Sequence, residues 1–125
     1  MKRIINTPNA PAAIGPYSQA VEANGTLYVS GQIPIDPAAG KIVAPTISEQ
    51  THQVLHNVEA ILNAAGYTFN DVVKSTVYLI DMSHFADMNS VYKDYYKADC
   101  PARAAFAVKE LPMGALVEIE TIAVK

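Results

Sequence analysis

The sequence predicts an α+β fold: a mixed β-sheet with two helices on one face. Three observations carry that reading. Residues 46–66 show the apolar spacing of one long helix, with a start and a stop signal. Separate β-branched runs at 26–33, 72–80 and 115–124 read as strands. Only one further helical segment, at about 83–97, lies among them. The resulting order, β-β-α-β-α-β-β, gives two helices to a sheet of roughly four to six strands, so only one face can be covered.

Residues 6–16 are rich in Pro, Asn and Ala and read as an irregular lead-in. A first strand is expected at 17–22. The turn signal Asn24-Gly25 then joins it to the run at 26–33, which predicts a hairpin. Pro34, Pro37 and Gly40 mark a loop. Helix one opens at Thr46, where Glu49 three residues on completes a capping-box pattern, and it stops at Gly66. Ile47, Val54, Val58, Ile61, Leu62 and Ala65 form its apolar stripe. Helix two carries Phe85, Met88, Val91, Tyr92 and Tyr95 on one side and ends before Pro101. Strands near 104–109 and 115–124 close the chain.

Period-two alternation puts Leu27, Val29 and Ile33 on one face, with Tyr28, Ser30 and Gln32 opposite. In the same way Val73, Ser75, Val77 and Leu79 oppose Lys74, Thr76, Tyr78 and Ile80. Glu118 and Glu120 share a face with Leu116, Ile122 and Val124. The face without helices is thus half apolar, and such a face is best buried against other copies of the chain. A homo-oligomer is expected, with polar residues lining clefts between chains.

The 125 residues, half of them apolar, suit a single domain spanning 1–125 with its own core. A net charge of −3 and a pI near 5.5 argue against nucleic acid as a partner. The single cysteine, Cys100, fits a reducing compartment. The start, Met1-Lys2-Arg3-Ile4-Ile5 followed by Asn6-Thr7-Pro8, has no apolar signal region, and no stretch is long enough to span a bilayer. The expectation is a soluble cytoplasmic domain with no membrane partner.

Arg103 is the residue that most invites a functional reading. The chain has only one other arginine, Arg3, against seven lysines. Arg103 sits in Pro101-Ala102-Arg103-Ala104-Ala105-Phe106, where a loop enters a strand. A guanidinium grips a carboxylate through two parallel hydrogen bonds, a geometry lysine cannot copy. Glu118 and Glu120 follow in the last strand and would meet Arg103 if the two segments pair. A structural ion pair and a ligand clamp both fit these residues.

Three segments together resemble the RidA/YjgF family. They are Gly15-Pro16-Tyr17-Ser18-Gln19-Ala20, Val29-Ser30-Gly31-Gln32-Ile33-Pro34, and Pro101-Ala102-Arg103 with Val117-Glu118-Ile119-Glu120-Thr121-Ile122-Ala123. Asn57-Val58, Gly66 and Asp71-Val72-Val73-Lys74 also match, so the resemblance runs from Asn9 to the C-terminus. It implies a chorismate-mutase-like fold in a homotrimer, a trimeric barrel assembly with helices outside and active sites between subunits. The implied activity is hydrolysis of reactive 2-imino (enamine) acids, released by pyridoxal-phosphate-dependent dehydratases, to 2-oxo acids and ammonia. No cofactor or metal is implied.

Carried over by position, Arg103 clamps the substrate carboxylate and Glu118 holds or activates the attacking water. Tyr17 and Ser30 line the cleft, Asn89 lies at its edge, Gly31 permits close approach, and backbone groups near Ala105 bond the imine nitrogen. Many active members carry cysteine at the position of Ala105, and Cys100 in the preceding loop does not replace it.

Other candidates are weaker. His52 and His56 have the spacing of a zinc pair but lack the intervening glutamate and a third ligand, so they read as solvated polar residues. His84 reads as a surface or cap residue. Cys100 has no histidine close in sequence to activate it. Tyr92, Tyr95 and Tyr96, without basic neighbours, read as packing between helix and sheet. Glu120 fits either a supporting or an ion-pairing role. The alternative function is a non-catalytic binder of small 2-oxo acids using the same cleft. A ribonuclease is disfavoured by the acidity and by the absence of a histidine pair suited to that chemistry, and a chorismate mutase rests on fold likeness alone.

Overall fold

The computed structural model describes residues 1–125. Eight strands and two helices follow one another along it. The strands are β1 (Arg3–Ile5), β2 (Ala20–Ala23), β3 (Thr26–Gln32), β4 (Ile35–Asp36), β5 (Lys41–Ile42), β6 (Val72–Leu79), β7 (Ala102–Ala107) and β8 (Val117–Val124). The helices are α1 (Ile47–Ala65), after β5, and α2 (Phe85–Tyr95), after β6. Six strands form one sheet in the order β1-β2-β3-β8-β6-β7, while β4 and β5 pair apart from it. Every pair in the large sheet is antiparallel except β6–β7. That parallel pair requires a crossover, and α2 supplies it.

The β2–β3 hairpin turns on Asn24 and Gly25, both at positive φ (52° and 77°), as the Asn-Gly signal predicts. Helix α1 has the expected stripe: Ile47, Val54, Val58, Ile61, Leu62 and Ala65 are all buried. The capping box at its start is only half made. Thr46 Oγ1 accepts from the Glu49 amide at 3.2 Å, but the Glu49 carboxylate accepts from the Thr46 hydroxyl rather than from its backbone. The full reciprocal box lies instead at Thr68 and Asp71, on the turn into β6. Gly66 ends α1 in the left-handed conformation at φ 86°, with Tyr67 N–H donating back to Leu62 O at 2.8 Å.

The core fills the space between the helices and one sheet face. Leu27, Val29, Val77, Leu79, Val117 and Ile119 pack there with Leu55, Val58, Leu62 and Met88. Two bulges break the simple alternation. Between Val72 and Lys74 the β6–β8 register shifts, so Val72 is buried and Val73 is 47% exposed, contrary to the expected face. Between Val29 and Gln32 the β3–β8 register shifts as well, and Gln32 is buried while Ile33 is only partly so. The second helix is shorter than expected, entering through a 3₁₀ turn at Met82–His84, and the fourth expected strand starts earlier, at Ala102.

The other sheet face carries Tyr28, Tyr78, Phe106, Ile122 and Val124 among Lys74, Glu118 and Glu120; Tyr28, Phe106 and Val124 are exposed. No helix is long and apolar enough to cross a membrane.

Candidate active site

Glu118 is placed by the bulge in β3. From Val29↔Thr121 to Gln32↔Ile119, β3 spends one residue more than β8, and Ser30 and Gly31 take up the excess. The Glu118 carboxylate lies directly over Gly31: a Cβ there would fall on Glu118 Oε2. Glycine is therefore required at 31 to seat the acid itself, a tighter constraint than the ligand approach expected from sequence. Glu118 is half-buried, and that burial pushes its pKa up; the nearby charge of Glu120 pushes the same way. Glu120 is in turn held by Tyr78, whose phenol donates to Glu120 Oε1 at 2.8 Å and whose own pKa rises to about 12. Two carboxylates thus share one site in different settings.

A cleft of about 550 Å³ opens beside Glu118, lined also by Tyr17, Ser30, Gly31, Ile14 and Met113. Ser30 Oγ donates to Ser18 O at 2.6 Å, which leaves the hydroxyl only its lone pairs to offer a ligand. Gln19 fixes the wall formed by the lead-in segment. Its carboxamide accepts from Thr7 N at 2.7 Å and donates to Thr7 O and Pro11 O. A larger groove, about 730 Å³, runs along the outer side of α1, and its lining includes none of the expected site residues.

Arg103 is elsewhere. In the sheet order β6 stands between β7 and β8, so the arginine and glutamate strands do not pair, and the condition under which Arg103 and Glu118 would meet within one chain is not satisfied. The register Ser75↔Arg103 puts Arg103 on the helix-covered face, whereas Tyr78↔Glu118 puts Glu118 on the open one. Arg103 Nη1 donates to Asn89 Oδ1 at 2.7 Å, and its Cζ lies 4.9 Å from the Tyr92 ring centroid and 5.6 Å from that of Phe85. Ala105 shares this face, packed against the core, on an edge strand with one side unpaired. The seven expected site residues therefore divide. Tyr17, Ser30, Gly31 and Glu118 line the cleft, while Arg103, Asn89 and Ala105 form a second cluster at the β7 edge.

Residues 7–125 match the family model described as Endoribonuclease L-PSP. The chain belongs to the RidA/YjgF family. A RutC family protein of Pyrococcus horikoshii is 57% identical over 125 residues, covering 100% of this chain and 99% of the relative. The 2-iminobutanoate/2-iminopropanoate deaminase of Mus musculus is 50% identical over 125 residues, covering 100% and 93%. Among solved structures, the Rid family protein YyfA of Yersinia pestis superposes with a TM-score of 0.98 at 49% identity, with 100% of both chains covered.

Sequence reasoning missed several features of this candidate site in the RidA/YjgF chain. Met113, at φ 57° between Pro112 and Gly114, borders the cleft from a turn whose shape no local rule predicts. Phe85 and Tyr92 were legible only as packing residues, although their spacing with Asn89 places all three on one helix face. His52 and His56 are exposed and lie against Tyr95, with His52 Nδ1 2.9 Å from its hydroxyl. The Cys100 thiol donates to Tyr96 O at 3.4 Å.

Proposed function

We propose that this chain is a 2-iminobutanoate/2-iminopropanoate deaminase, hydrolysing small 2-imino (enamine) acids to 2-oxo acids and ammonia. Its sites form where the Glu118 cleft of one copy meets the Arg103 cluster of another, in a homotrimer. The observation that carries the reading is Glu118: a half-buried carboxylate with a raised pKa, seated over Gly31 at the floor of a cleft. The mammalian relatives of that name support the same reaction.

Arg103 pairs with the substrate carboxylate and presents C2 to water. Glu118 accepts a proton as the water oxygen adds to C2, and the C=N bond becomes a C–N bond. That proton passes to the nitrogen to give a carbinolamine, and the hydroxyl proton then follows it to the nitrogen by way of Glu118 as the C–N bond breaks and the 2-oxo group forms. Ammonia leaves. Every step is a proton transfer, an addition or an elimination, so no redox partner is needed. Enzymes that eliminate water from hydroxy amino acids with pyridoxal phosphate release such imines and would supply the substrate.

The test generates the imine with a threonine dehydratase or an amino-acid oxidase and traps what survives with semicarbazide. The parent should divert most of the imine before trapping. Arg103→Ala should lower kcat/KM by about a hundredfold or more, as expected for loss of a charged bidentate anchor. Parent-like hydrolysis by Arg103→Ala would sink the assignment. Glu118→Gln should lose turnover while still binding 2-oxobutanoate. Absence of hydrolysis in the parent, with 2-oxobutanoate binding intact, would mark a binder instead.

A further inference from the structure

We infer that Phe85, Asn89 and Tyr92 on α2 form a cradle that fixes the Arg103 guanidinium before any anion arrives, so that Tyr92 and Asn89 are positioning residues for carboxylate capture. The three positions follow the i, i+4, i+7 spacing of one helix face, and α2 brings that face to the β7 edge. Each contact restrains a different freedom of the arginine. The Tyr92 and Phe85 rings, 4.9 Å and 5.6 Å from Cζ, set the plane's position against their π faces. The Asn89 carboxamide oxygen, 2.7 Å from Nη1, sets rotation within that plane. Only one terminal nitrogen is used, and the other guanidinium N–H groups remain for a ligand.

The ring that bears most of this is itself immobilised. Tyr92 is 6% exposed and its ring lies 4.6 Å from that of Tyr96, which is also buried. Both phenols lie beside the Ser75 hydroxyl at the sheet centre, and neither phenol oxygen accepts a hydrogen bond from Arg103. The hydroxyl of Tyr92 therefore contributes little to holding the arginine. Its aromatic face does the holding. Asn89, read from sequence as a cleft-edge substrate residue, has its carbonyl oxygen engaged by Arg103 and acts on the substrate through it.

Arg103 binds the carboxylate alike in ground and transition states, so disordering it should raise KM rather than lower kcat. Tyr92→Leu should raise KM for the imine, and Kd for 2-oxobutanoate by calorimetry, about five- to thirtyfold, with kcat within about threefold. Tyr92→Phe keeps the ring and should stay within about twofold of the parent in both. Asn89→Ala, a change at a half-exposed position that leaves folding intact, should raise both about three- to tenfold.

The signal that a purely structural role would not produce is spectroscopic. With two arginines in the chain, the Nε–H and δ-proton resonances of Arg103 are assigned by difference with Arg103→Lys. In the ligand-free parent they should be shifted upfield by the ring current of Tyr92. That shift should persist in Tyr92→Phe and collapse in Tyr92→Leu. Unshifted resonances in the parent would overturn the cradle. So would a Tyr92→Leu variant with parental KM and Kd, or a Tyr92→Phe variant as impaired as Tyr92→Leu.

The inference rests on the deaminase reading only for the identity of the anion. A parent that binds 2-oxobutanoate and shows the shifted resonances without hydrolysing imines would sink that reading and leave the cradle standing. A parent that neither hydrolyses imines nor binds 2-oxobutanoate would overturn both.

Discussion

Glu118 is held in the fold at a cost to its ionised form, and in the proposed reaction that cost prepares it as a base. Burial first, and the Glu120 charge second, raise its pKa above the unfolded value of about 4.3. The protonated form is then the better-folded one. Its contribution to stability is complete below the unfolded value and is lost as pH rises through the raised folded value. Glu118→Gln carries no charge to bury, so near about pH 8 it should unfold at a higher temperature than the parent, while below about pH 4 the two should converge. Calorimetry across that range decides it, and a parent at least as stable as the variant at the upper end would contradict the assigned strain. The same shift should place the acid limb of kcat above the pH expected for an ordinary glutamate. Glu120→Gln, which removes the second cause, should move that limb down. Gly31→Ala should abolish turnover while the fold persists, because the new methyl group takes the space of the carboxylate; full activity in that variant would mean that Glu118 works from another position.

Helix α1 shows how far local signals reach. Its stripe and Gly66 stop were legible in the sequence because helical period and a left-handed cap are properties of neighbouring residues. What clamps its C-terminal end was not. Arg3 Nη2 donates to Ala65 O at 2.9 Å and Lys125 Nζ to Gly66 O at 2.8 Å, so both ends of the chain supply the cations that its last turn lacks. β1 escaped notice for the same reason, since three residues carry no period and their partner strand lies far along the chain. The two bulges and the separation of Arg103 from Glu118 depend on register and strand order, which alternation within one strand cannot encode. The expected site residues stand in short motifs; their division into two clusters is not written there. α1 also braces the cleft: Asn57 Nδ2 donates to Ile33 O and Ile35 O, and Gln50 Oε1 accepts from Leu116 N beside β8. Asn57→Leu should cost about 1–3 kcal/mol by stranding those carbonyls, and should raise KM through the displaced cleft wall. Gly66→Ala should cost about 1 kcal/mol, or about 4 °C in Tm, with activity unchanged. A fall in kcat/KM for Gly66→Ala alone would tie the helix end to the site in a way its contacts do not suggest.

The molecule as a whole holds two clusters of expected site residues that one copy of the chain does not bring together. Glu118 faces the open side of the sheet, and Arg103 faces α2 at the edge. Tyr28, Phe106 and Val124 remain exposed on the open face, apolar side chains that another copy of the chain could cover. If each site draws Glu118 from one copy and Arg103 from the next, two inactive variants should repair each other. Arg103→Ala supplies intact Glu118, and Glu118→Gln supplies intact Arg103. Refolded together in equal amounts and assembling at random in a closed ring, they should place both intact residues at about one interface in four, restoring about a quarter of parental activity. The double variant mixed with parent should only dilute activity in proportion to the intact interfaces. Sites built within one chain predict no recovery in the mixture at any ratio. A recovery that vanishes when the variants are mixed without refolding, and appears once subunits exchange, would locate the catalytic geometry at the junction between copies.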